Sequence, residues 1–298
     1  MASPERVSLR YGDCRAEVLL RGGQICSLRG SDGREAIWQA DPAVWPQHAP
    51  VLFPVCGSVK NDQVTIAGKT YPMKKHGFTR NAPFQVAKLG DDFVELVLEP
   101  TEESRAMYPF DFVLHVTYSL FENGYTTTFL VENRSECVMP FCVGGHPAFI
   151  CPMEEDASFT DYQLVFPEKE SGKVALAPGG GLIDGAEILP DFRNGQILPL
   201  RHELFDERDA LLFTELKSRS VTLQHQRSGK GLQFSFPKME VLAVWTKPFM
   251  NANYLCLEPW HGMPAQVTES GAMEEKPFAT LLEPGRCYKT WFTATLLK

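Results

Sequence analysis

The chain lacks any C-x-x-C pair, any basic stripe, any apolar run approaching a membrane span, and any repeat of fixed period. Each absence removes a class of protein. Its eight cysteines stand at positions 14, 26, 56, 137, 142, 151, 256 and 287, mostly in apolar strand-like settings such as Leu255-Cys256-Leu257. With no ligand or framework spacing, they read as small buried hydrophobes of a reducing compartment, and no metal or catalytic thiol is expected. A net charge of -8 argues against a general nucleic-acid binder. Basic clusters stop at pairs such as Lys74-Lys75, which read as ordinary surface. A spanning helix needs about 20 apolar residues and none is present. The polar segment Met1 to Arg10 has no h-region of a secretory signal. A soluble, cytoplasmic protein without nucleic-acid or membrane partners is expected.

Helical patterns are also scarce. The best is Glu102 to Met107, where Thr101 offers an N-cap and Tyr108-Pro109 ends the run. What is abundant is period two. Phe112, Leu114, Val116, Tyr118 and Leu120 alternate with polar residues, Asn123-Gly124 supplies a hairpin signal, and Thr126 to Glu132 returns. Similar patterns cover Ala16 to Leu20, Phe93 to Leu98, Gln163 to Phe166, Ser220 to His225, Leu232 to Phe236, Val241 to Thr246 and Tyr288 to Leu296. The 23 glycines and 22 prolines are spread along all 298 residues, so no linker divides the chain. Ala177 to Gly195, with Pro178-Gly179-Gly180-Gly181, reads as a long loop inside one domain. The fold class is all-β (mainly β): a large antiparallel β-sandwich spanning residues 1–298 as a single domain.

Three short segments carry titratable side chains beside residues that fix the backbone. His76 precedes Gly77, and if the segment is extended, His76, Phe78 and Arg80 share one face suited to a polyhydroxyl or anionic ligand. His146 sits between Gly144-Gly145 and Pro147, flanked by apolar strands. It reads as a positioned histidine of tuned pKa or as a core histidine satisfied by a carbonyl. Glu258 ends the apolar run Tyr254 to Leu257 beside Pro259 and Trp260, where a raised pKa suits proton transfer. The Trp260 indole offers a face to a sugar ring. Asp209, before Ala210 to Phe213, reads as a hydroxyl acceptor or as a turn residue.

Together these segments resemble the aldose 1-epimerase (mutarotase) family, in particular its LacX-like branch. The matching text is Val51 to Gly57, Tyr71 to Arg80, Gly145 to Phe149, Asp209 to Phe213 and Cys256 to Gly262, in the family's order. The resemblance implies a galactose-mutarotase-like supersandwich that interconverts the α and β anomers of an aldose without a metal or organic cofactor. It implies that His146 is the acid at the ring oxygen and Glu258 the base at the anomeric hydroxyl. His76, Arg80 and Asp209 are then substrate-binding residues. Relatives often carry a basic residue where this chain has Ser58, which leaves a contact to substrate oxygens open; Lys60 is one candidate substitute.

Opening a hemiacetal ring requires one proton to leave the anomeric hydroxyl while another reaches the ring oxygen. A carboxylate base and an imidazolium acid on opposite sides of the sugar would do both. The expected partner is a small sugar, free or phosphorylated, and the oligomeric state stays open. Rival readings are a hexose-6-phosphate mutarotase, a non-catalytic carbohydrate-binding β-sandwich, or a glycosidase pairing Glu258 with Asp209.

Overall fold

The computed structural model describes residues 6–297, and two antiparallel sheets dominate them. The larger has nine strands and contains the hairpin of Phe112–Phe121 and Gly124–Asn133. Cross-strand pairs Val116 with Phe129 and Leu114 with Val131 put matching apolar groups on one face. Cys287–Leu297 continues the sheet on one side of the hairpin and Phe93–Leu98 on the other. The anticipated helix Glu102–Met107 is present, closed by a capping box between Thr101 and Ser104.

The second sheet has eight strands, and alternation along three of them assigns its two faces. In Tyr254–His261, Leu255 and Leu257 enter the main core, as do Leu242 and Val244 of Val241–Trp245, and Leu211 and Phe213 of Ala210–Phe213. The intervening residues, including Ala210, Leu212, Ala243, Trp245, Glu258 and Trp260, face the other way. Each fully buried Leu, Val or Phe on the core side contributes roughly 1.5–3 kcal/mol. That burial holds the opposite face in place for polar work.

Two local expectations change. Glu258 does not end its strand: Tyr254–His261 runs on through Pro259 and Trp260, so Glu258 lies within the sheet. The stretch after Ala177 is not all loop, because Ala186–Ile188 pairs with Lys173–Ala175. All eight cysteines are free, six of them buried. No helix among the described residues is long and apolar enough to cross a membrane.

Candidate active site

His146 and Glu258 meet because their segments run side by side. Ala148–Ile150 pairs with the first part of the Glu258 strand and Val143–Gly145 with its last part, so the His146 turn bulges beside Glu258. Two glycines before His146 are sterically required. A Cβ at Gly144 would lie 2.5 Å from Trp260 Cδ1, and one at Gly145 would lie 2.6 Å from Phe292 Cε1. The Trp260 indole N–H donates to the Gly145 carbonyl at 3.2 Å and pins the turn. His146 Nε2 then lies 3.0 Å from Glu258 Oε2, close but not aligned as a hydrogen bond. The two residues are 8% and 2% exposed. The acid and base expected on opposite sides of a sugar stand side by side instead.

His76 and Arg80 reach the same place through a turn, not through an extended segment. His76 and Gly77 have φ of 67° and 74°, and Thr79–Asn81 forms a short 3-10 turn. Phe78 is thereby turned onto Phe53, Tyr108 and Phe112 in the core. The Gly57 N–H donates to His76 Nδ1 at 3.0 Å, which leaves the hydrogen of the neutral ring on Nε2. Arg80 Nη2 donates to Gln47 Oε1 at 2.6 Å. His76 packs edge-on against both His146 and Trp260, with ring centroids 5.5 and 5.7 Å apart.

All six candidates, His76, Arg80, His146, Asp209, Glu258 and Trp260, line one cavity of about 280 Å³. Asp209 is both of the things its sequence allowed, a turn residue with φ of 63° and a wall of the cavity. A larger groove of about 1550 Å³ elsewhere is bordered by exposed Arg6, Arg10 and Arg15, outside this constellation.

Four lining residues escaped the sequence reading: Trp45, Lys75, Trp245 and Lys247. Trp45 stacks on the His146 ring at 4.9 Å, and Trp245 meets its edge at 5.7 Å. Lys75 is exposed like Lys74, as read, and it also borders the cavity. Lys74 does stay outside, paired with Asp62 at 2.7 Å, but the Lys75 ammonium donates to the Gly180 carbonyl at 2.9 Å. Ser58 Oγ donates to the same carbonyl at 2.6 Å, tying the Pro178–Gly180 turn over the cavity. Lys60 does not replace the missing base at Ser58, since its ammonium bonds the Val267 and Glu269 carbonyls. Lys75, adjacent to His76, brings a cation to the site.

Burial dominates the electrostatics. It pushes Glu258 well above the usual carboxylate range, against the lowering effect of Lys75 and Arg80. It pushes His146 well below an ordinary imidazole, and Arg80 adds to that. His76 is lowered well below its ordinary value for the same reason, reinforced by His146, Lys75 and Arg80. Removing an ion from water costs several kcal/mol, so the pair is favoured with a single proton and no net charge. Asp209 is raised by burial, partly offset by Lys75 and the Trp245 side chain.

A large antiparallel two-sheet fold with a polar cavity on one sheet face narrows the class of protein, and sequence comparison identifies it. The aldose 1-epimerase family model matches residues 5–281, and the chain belongs to that family of sugar-acting isomerases. Protein LacX of Lactococcus lactis is 36% identical over 283 residues, covering 93% of this chain and 94% of LacX. The structure of a galactose mutarotase related enzyme from Lactobacillus acidophilus superposes with a TM-score of 0.92 at 29% identity, covering 99% of this chain and 98% of that one. A galactose mutarotase-like protein from Lactobacillus casei gives 0.91 at 29% identity, covering 98% and 100%. The fold is the galactose-mutarotase-like one.

Proposed function

We propose that this protein is a mutarotase in which Glu258 and His146 open and close the ring of an aldose. The observation that carries the reading is the 3.0 Å separation of His146 Nε2 and Glu258 Oε2 at the edge of a cavity suited to one sugar. The anomeric oxygen and the ring oxygen are bonded to the same carbon, so adjacent groups serve them better than groups on opposite sides. Glu258 takes the anomeric hydroxyl proton as His146 delivers one to the ring oxygen. After the aldehyde rotates, the same groups in reversed roles close the ring. His76 Nε2–H and Arg80 donate to hydroxyls, Asp209 accepts from them, and Trp260 holds the His146 turn while walling the cavity. A binding module would need the aromatic walls but not a matched acid and base.

The test is polarimetry on freshly dissolved α-D-glucose and α-D-galactose. Acceleration over buffer supports the reading, and none with any common aldose, free or phosphorylated, defeats it. A second reading, a phosphorylated aldose, is favoured by the cations. Lys75 and Arg80 spend hydrogen bonds on neutral partners, Gly180 and Gln47, and Lys247 lines the same cavity. If a phosphate is bound there, Lys75→Met raises KM for hexose 6-phosphates at least tenfold more than for free hexoses, which lose only the Lys75 tie to Gly180; a charge-assisted bond contributes about 1.5–3 kcal/mol. Equal effects on both sugars would favour the free aldose.

A further inference from the structure

Cys256 lies two residues before Glu258, so both side chains leave the strand on one face. Ala148 pairs with Cys256, which brings the His146 turn alongside. The donor atoms of His146, Cys256 and Glu258 lie within 4.8 Å of one another, and all three residues are buried. Glu258 Oε2 has no hydrogen-bond partner, although its residue is only 2% exposed. Nothing in the sequence spacing hinted at this, because one donor comes from a segment more than a hundred residues away.

Zinc holds nitrogen, oxygen and sulfur ligands at about 2.0–2.3 Å, which places tetrahedral donors roughly 3–4 Å apart. The 3.0 Å between His146 Nε2 and Glu258 Oε2 already fits, and the thiol needs a shift of about 1 Å at most. Three protein donors with a fourth position toward a cavity is the pattern of an open zinc site, and mixed N, S and O donors suit borderline-soft divalent ions.

We propose that His146, Cys256 and Glu258 form an inhibitory site for a borderline-soft divalent cation such as zinc. Coordination releases two protons to solvent, the Cys256 thiol's and the one held by the His146–Glu258 pair, and occupies the imidazole and carboxylate lone pairs that carry the proton during turnover. The bound ion also blocks the floor of the sugar cavity, so metal and sugar exclude each other. Inhibition rests on the mutarotase reading; coordination does not.

Cobalt(II) serves as the probe, in protein whose exposed thiols are removed by Cys137→Ser and Cys287→Ser. A near-ultraviolet thiolate-to-cobalt absorption is expected at one ion per chain, absent after Cys256→Ser. Because a buried serine risks misfolding, Glu258→Gln provides a second variant that keeps the thiol. It should weaken cobalt binding by about tenfold or more. In active protein, zinc should inhibit competitively with sugar, and Cys256→Ser should raise the inhibitory concentration by a similar factor. Cobalt binding without the thiolate band, a band that survives Cys256→Ser, or unchanged affinity in Glu258→Gln overturns the proposal. If no sugar is turned over but the band behaves as stated, the metal site stands and the mutarotase reading falls.

Discussion

Burial of His146 and Glu258 together determines how the site handles protons. In the proposed reaction, an ion pair disfavoured in the dry cavity is discharged as the ring opens, by transfer from the sugar to Glu258 and from His146 to the sugar. The environment that perturbs both pKa values therefore favours the reaction's proton movements. The active form carries one proton on the pair: burial favours it on Glu258, and the minor tautomer with it moved 3.0 Å to His146 is the one that reacts. Acid adds a second, to His146, whose pKa is held well below 6.5; alkali removes the one proton, from Glu258, held well above 4.5. The expected kcat/KM therefore stays level as pH falls through 6.5, the value at which an unperturbed imidazole would already be half titrated. A pH series of anomer-exchange rates checks this, and half-loss at pH 6.5 would mean that His146 is solvated.

Among the elements, the turn Pro178–Gly180 is held by a single carbonyl shared between Ser58 and Lys75. Ser58→Ala removes one of the two ties, and a typical net hydrogen bond contributes about 1 kcal/mol. KM for the sugar should rise about fivefold with kcat unchanged, as read from initial rates; an unchanged KM would show that Lys75 alone sets the loop. Ser58 also illustrates where sequence reasoning reaches and where it stops. Alternation from Phe112 to Leu120 was enough to find the hairpin, because cross-strand register follows from period two. Alternation could not say that Glu258 lay inside a strand whose partners continue past Pro259. The His76 turn was hidden because its first left-handed position is not a glycine. Trp45, Trp245 and Lys75 carry no local signal at all; only the packing of distant loops and strands puts the two indoles around His146 and the ammonium on Gly180.

For the whole molecule, the same buried groups couple stability to pH. His48, His76 and His146 all have folded pKa values lowered chiefly by burial, so the unfolded chain binds more protons below 6.5. Stability they allow at neutral pH is lost as pH falls from 6.5 toward their folded values. Glu258 has the opposite sign: its raised folded pKa gives a contribution complete below 4.5 and lost as pH rises through the folded value. Three histidines outweigh one glutamate, so the Tm should drop on acidification from pH 7 to 5, and drop more steeply in Glu258→Gln. Thermal melts across that range check it; a flatter profile in the variant would show that Glu258 is ionised in the fold. The same scale sets the central question, whether two sheets and distant loops converge on a working acid–base pair. Exchange NMR of hexose anomers at equilibrium addresses it directly, with wild type, Glu258→Gln, His146→Gln and the double variant compared on protein of native circular dichroism. Each single substitution should slow exchange by about 10²–10⁴-fold, and the double variant should be little worse than the poorer single one. Wild-type exchange in either folded single variant would contradict the account.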